Sequence, residues 1–132
     1  MKRSLIALPA AAAAAALALP PTSAAHHGWG WTQDAESRLT GEILSITFTN
    51  PHMHLRLRDT MGMEWSVDLS PPIVAERSGF GADHAAAGDR ATVTGHRARD
   101  MSVRSFKGET ITVRGRTFDV YPQREKTLSP TG

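Results

Sequence analysis

Hydrophobic positions along the chain fall into two regimes. Leu5 to Leu19 is a single apolar run dominated by Ala and Leu. From Gly41 onward the period is two, the spacing of strands with one buried face. Leu44, Ile46 and Phe48 fall on one side, with Ile43, Ser45, Thr47 and Thr49 on the other. Asn50-Pro51 interrupts the ladder. Met53, Leu55 and Leu57 then alternate with His52, His54, Arg56 and Arg58. Asp59-Thr60-Met61-Gly62 reads as a turn, after which Trp65, Val67 and Leu69 alternate with Glu64, Ser66 and Asp68. Short strands with tight connections predict an antiparallel meander.

Ser70 and the pair Pro71-Pro72 predict the start of a short helix carrying Ile73, Val74 and Ala75, which Gly79 ends. Residues 81–89 read as a loop. Ala91 to His96 follows as a fourth strand, with Ala91 and Val93 inward and Thr92, Thr94 and His96 outward. Thr110 to Val113 is a fifth, and Thr117 to Tyr121 a last extended piece. Three strands, one helix and two more strands is the order of an OB-type barrel, five-stranded and partly open. The expected class is therefore all-β, with one short helix. The runner-up is a small open sandwich.

The apolar run at the start is expected to be separate from this fold. Lys2 and Arg3 precede it, Pro20-Pro21 ends it, and Thr22-Ser23-Ala24-Ala25 supplies small residues for cleavage. That is the layout of a secretory signal peptide. The run is shorter than the roughly 20 residues that span a bilayer, and no later segment is apolar enough to do so. The expected organisation is a signal peptide over 1–25, one β-barrel domain over 26–122 and a flexible tail over 123–132. Cleavage after Ala25 makes His26 the first residue of a periplasmic protein.

Export also changes the charge argument. The full chain carries 15 Lys+Arg against 13 Asp+Glu. Lys2 and Arg3 leave with the leader, which balances the two signs and removes the electrostatic case for nucleic-acid binding. The absence of cysteine excludes disulfides, CxxC redox chemistry and thiol nucleophiles. No carboxylate dyad, GxSxG elbow or phosphate-cradling glycine loop stands out. Catalysis is therefore the less favoured reading. Arg97, Arg99, Arg104, Lys107, Arg114 and Arg116 read as a solvated face balanced by Asp89, Asp100, Glu109 and Asp119.

Six histidines remain as the candidate chemistry. His26 at the mature terminus offers its α-amine and ring Nδ1 to one metal ion. Cleavage one residue earlier makes His27 the third residue, placed to bind with the amine and two amides in a square. Both arrangements put nitrogen ligands in a plane, the geometry Cu(II) prefers. His52 and His54 are two apart on a strand, so their rings leave the same face. His26, His27, His52 and His54 are therefore the expected metal ligands, and copper the expected ion. Met53 is expected in the core and Met61 and Met63 in the turn, outside the ligand set. His84 and His96 read as surface histidines.

Ala25-His26-His27-Gly28-Trp29, then Thr40-Gly41-Glu42-Ile43 leading to Thr49-Asn50-Pro51-His52, resembles a family of short exported bacterial proteins of unknown function. Trp65-Ser66-Val67-Asp68-Leu69 and Gly88-Asp89-Arg90-Ala91-Thr92-Val93-Thr94-Gly95 continue the likeness across residues 25–120. The resemblance implies an exported single domain. It carries over the first histidine of the TNPH motif, His52, and not His54, and it brings no activity with it. Two functions compete. One is a periplasmic copper carrier or buffer. The other is a non-catalytic module binding an envelope protein or glycan through the outer face of strands two and three, with Trp29 or Trp31 stacking on a sugar. A copper-dependent oxidative enzyme is a third, weaker reading.

Overall fold

In a computed structural model that describes Ser4 and residues 28–131, the first period-two stretches form β1 (Ser37–Thr47), β2 (His54–Asp59) and β3 (Glu64–Asp68). They pair as the expected antiparallel meander. A short helix, α1 (Pro72–Arg77), follows, then one turn of 3-10 helix at Ala82–His84. Proline occupies the first turn of α1, but Ser70 does not cap it. β4 (Arg90–Arg97), β5 (Ser105–Val113) and β6 (Arg116–Asp119) complete the sheet.

The strand order is β3-β2-β1-β4-β5-β6, and β3 also pairs with β5. That last pairing is parallel, with Ser66 opposite Ser105 and Asp68 opposite Lys107. It closes β1 to β5 into a barrel with OB-type connectivity. The barrel is closed where the strand order alone predicts a partly open one. Closure leaves none of the five as a free edge at the β3–β5 seam.

Leu55, Leu57, Val67, Val93, Ile111 and Val113 fill the interior as expected, with Met53 beside them. Ile46, Phe48 and Trp65 pack against this core while partly exposed. Leu44 does not belong to it, and Ile43 does, with no exposed surface. The reason is a β-bulge: the β1–β2 register shifts between Ile43 and Ser45. A bulge inserts one residue and flips the alternation beyond it. Leu39, Gly41 and Ile43 therefore point inward before it, and Ile46 after it.

A second bulge lies in β4, between Thr94 and Gly95. A Cβ on Gly95 would sit 2.0 Å from the Lys107 carbonyl oxygen, so only glycine allows the strands to approach this closely. Thr94 and His96, both expected outward, are buried. His96 is covered by the segment entering β1, through the Gln33 carbonyl and the Trp29 ring, and the Thr94 hydroxyl meets that of Thr110. The segment before β1 and the segment after Pro122 are tied to the sheet. Gln33 N–H donates to the Arg97 carbonyl at 2.8 Å and Arg99 N–H to that of Trp31 at 2.9 Å. Thr127 and Leu128 N–H groups donate to the Glu36 carboxylate. Lys126 Nζ lies 2.8 Å from Asp119 Oδ2. Among the described residues, no helix is long and apolar enough to cross a membrane.

The β2–β3 turn is organised by Asp59. Its Oδ1 accepts from the Met61 and Met63 N–H groups, each at 2.9 Å, and its Oδ2 accepts from Trp65 Nε1 at 2.8 Å. The Trp65 bond first, then the Met63 and Met61 amides, hold this carboxyl below its ordinary range against partial burial. A depressed folded-state value means stability that is present above the ordinary Asp range and lost as pH falls through the depressed value. Asp59→Asn is therefore expected to lower the melting temperature at neutral pH. The gap from the parent should close in acid, which thermal melts between neutral and strongly acidic pH would read.

Candidate metal centre

His54 opens β2, and His52 lies just before it, on the same side of the chain. Their meeting point is Asp68 at the end of β3, the residue paired with His54 across the antiparallel ladder. His54 Nδ1 lies 2.8 Å from Asp68 Oδ1. A carboxylate accepts only, so the proton of this bond is on Nδ1, and Nε2 is the ring's outward nitrogen. That Nε2 faces the Ser66 hydroxyl at 3.4 Å. His52 Nδ1 stands 3.6 Å from the same Asp68 oxygen. It is buried and without a hydrogen-bond partner. One imidazole is thus oriented by a carboxylate, as outer partners orient metal-binding histidines, and beside it lies a ring nitrogen with unused bonding capacity. Alternation alone places Asp68 on the outer strand face without joining it to the histidines.

His26 and His27 lie outside the described residues. The described chain begins beside this site all the same. The Gly28 carbonyl accepts from Lys107 Nζ at 2.7 Å, and Lys107 is the residue opposite Asp68 in the β3–β5 seam. Trp29 lies under two cations. Its ring is 3.7 Å from the Arg124 guanidinium carbon and 4.5 Å from Lys107 Nζ. Tyr121 meets its edge at 5.0 Å. These contacts fasten Gly28-Trp29 to the outside of the barrel. Lys107 is buried, not part of a solvated basic face. Burial pulls its ammonium below the usual range, opposed by the attraction of Asp68 and helped by the repulsion of Arg124. Burial likewise raises the Tyr121 hydroxyl to about 12, with Asp68 adding to the rise and Arg124 opposing it.

The other cations of that supposed face are dispersed. Arg99 pairs with Asp34 and Arg114 with Asp89, each at 2.8 Å. Arg97 lies over the Trp65 ring and Arg116 over that of Phe118. Met61 and Met63 are exposed in the turn, as expected. His84 is half-buried, its ring against Phe118 at 5.1 Å and its Nδ1 accepting from Gly81 N–H at 3.1 Å. His96 is a plain correction: the expected surface histidine is buried against Glu109. The bulge at Gly95 hid this, because strict alternation sends His96 outward.

The outer face of β2 and β3 also carries a shallow groove of about 420 Å³, lined by His54, Arg56, Glu64, Trp65, Ser66, Val103 and Arg104.

A model of a family of unknown function, DUF6152, matches residues 13–107. The chain belongs to this family. Membership in DUF6152 brings no activity, and no curated protein matches the chain. Among solved structures, a chain of the Stn1–Ten1 complex of S. pombe is similar at 17% identity and a TM-score of 0.47. The match covers 59% of this DUF6152 chain and 57% of that one. A ZRD-deleted mutant of TiaS in complex with agmatine is similar at 15% identity and a TM-score of 0.45, over 72% of this chain and 24% of that one. The chain thus spans little more than half of the first and about a quarter of the second. The barrel assignment rests on the strand order and the β3–β5 closure.

Proposed function

We propose that this DUF6152 protein is exported to the periplasm and binds one Cu(II) ion as a carrier or buffer. Its ligands are the α-amine and ring of His26 together with His52, with His54 or His27 completing the set. The observation that supports this most is the bond from Lys107 Nζ to the Gly28 carbonyl. His27 and His26 directly precede Gly28, and one residue spans about 3.8 Å between Cα atoms. Two such steps limit how far an amine at His26 can lie from Gly28, and His52 Nδ1 at the Asp68 end of β3 has no hydrogen-bond partner. An amine with several imidazoles is a nitrogen-rich donor set that suits Cu(II), and the Irving–Williams order favours Cu(II) over Zn(II) in the same site.

Copper titration of the mature protein and of His52→Ala tests this reading. The ring of His52 is partly exposed and holds no hydrogen bond at Nδ1, so the variant should fold with a nearly unchanged melting temperature. Its Cu(II) affinity should fall at least about tenfold, the scale of losses at metal-site positions. In the parent, binding should weaken as pH drops through roughly 6.5, where imidazoles take up protons. Undiminished Cu(II) binding by His52→Ala would remove this ligand from the site. If no copper binds the parent, the groove beside His54 becomes the place to seek an envelope protein or glycan partner.

A further inference from the structure

A second group of ligand atoms lies on the other strands, around Glu109 of β5. Its side chain has no exposed surface. Oε1 faces His96 Nε2 at 3.0 Å and accepts from Arg124 Nε at 2.7 Å. Oε2 is buried and has no hydrogen-bond partner. Glu36, just before β1, brings a second carboxylate. One ligand atom each from Glu36, His96 and Glu109 lie within 4.8 Å of one another.

The histidine is fixed in one orientation. Its Nδ1 lies 2.8 Å from the Gln33 carbonyl oxygen. A carbonyl can only accept, so Nδ1 carries a proton and Nε2 is the nitrogen turned to the carboxylates. This is the arrangement a metal-binding histidine has when its other nitrogen is held by a backbone carbonyl. The Glu36 carboxyl is held in place by the Thr127 and Leu128 N–H groups, which donate to it. A buried carboxylate oxygen without a donor is costly. Arg124 and His96 both meet Glu109 at Oε1, which leaves Oε2 as the buried oxygen with no donor.

We propose that Glu36, His96 and Glu109 form a second cation site, for a divalent ion of the Zn(II) class, independent of the amino-terminal histidines. One imidazole nitrogen and two carboxylate oxygens suit such an ion better than Mg(II) or Ca(II), which favour all-oxygen sets. In a tetrahedral site, Zn–N and Zn–O bonds of about 2.1 Å put ligand atoms about 3.4 Å apart. Side-chain rotation must therefore draw together atoms that now lie within 4.8 Å of one another. Glu109 Oε1 keeps Arg124, and Oε2 turns to the ion. The segment carrying Arg124, Thr127 and Leu128 covers the site, and the edge of Trp29 lies over His96 at a ring separation of 5.6 Å.

The test is a Zn(II) titration of the exported protein followed by native mass spectrometry. His52→Ala serves as the background, to cripple the histidine site. One Zn(II) should remain bound in that background, and Trp29 fluorescence should change as it binds. Glu109→Gln and Glu36→Gln, each added to that background, should weaken this Zn(II) at least about tenfold, with circular dichroism confirming the fold. Glu36 is only partly buried, so Glu36→Gln decides the matter if Glu109→Gln does not fold. The proposal is overturned if the His52→Ala background binds no Zn(II), or if Glu36→Gln holds it as tightly as that background. Either result means that these three side chains do not hold an ion together.

Discussion

One additional residue ahead of His26 is expected to weaken Cu(II) binding about 100-fold or more, although every side chain of the protein is retained. The extension moves the α-amine away from the His26 ring and so breaks the chelate they form with one ion. Loss of a single outer partner already costs about 10- to 100-fold in metal affinity, and here a direct ligand is displaced. The fold should not respond, because the described contacts of the amino-terminal segment begin at Gly28. Copper titration of the extended and parent proteins, with melting curves for both, separates the two effects. Equal affinities would mean that the amine is not a ligand.

Leu55→Ala and Ile43→Ala are expected to give the largest losses of stability, about 2–5 kcal/mol each. Neither side chain has exposed surface. Leu55 sits in β2 between Ile46 and Val67, its partners on the flanking strands, so truncation opens a cavity inside the barrel. For a domain of this size the loss corresponds to a fall of roughly 10 °C or more in melting temperature. Leu44→Ala should cost much less, because the β1 bulge leaves Leu44 half-exposed. Denaturant unfolding of the three variants checks this order. A Leu44→Ala loss as large as that of Ile43→Ala would contradict the bulge.

Regular alternation made the meander, the helix position and the OB-type strand order legible, because a period of two has one physical cause along β2 and β3. The pattern failed where the backbone departs from regular pairing. The residue inserted at Leu44 exchanged the inward and outward sets of β1, and the bulge at Gly95 turned His96 inward. Neither bulge has a marker as local as a turn residue, although Gly95 within a strand was a signal of close backbone approach. His52 and His54 were readable as a same-face pair from spacing alone. Asp68 joins them through the register of β2 with β3. Glu36 and Glu109 are 73 positions apart in sequence and meet only through the barrel. Residues 98–109 carried no clear period, since β5 is buried on both faces where the chain segments cover it. Strands buried on both faces lose the polar alternation that reveals them.

In the proposed function, export creates a copper ligand set that begins at His26. Intact and native mass spectrometry of the exported protein, without metal and with one equivalent of Cu(II), tests it most directly. The expected result is a chain whose mass starts at His26 and which retains one Cu(II) ion in the presence of equimolar Zn(II). A chain that still carries Met1, one that starts beyond His27, or one that starts at His26 and retains no copper would contradict it.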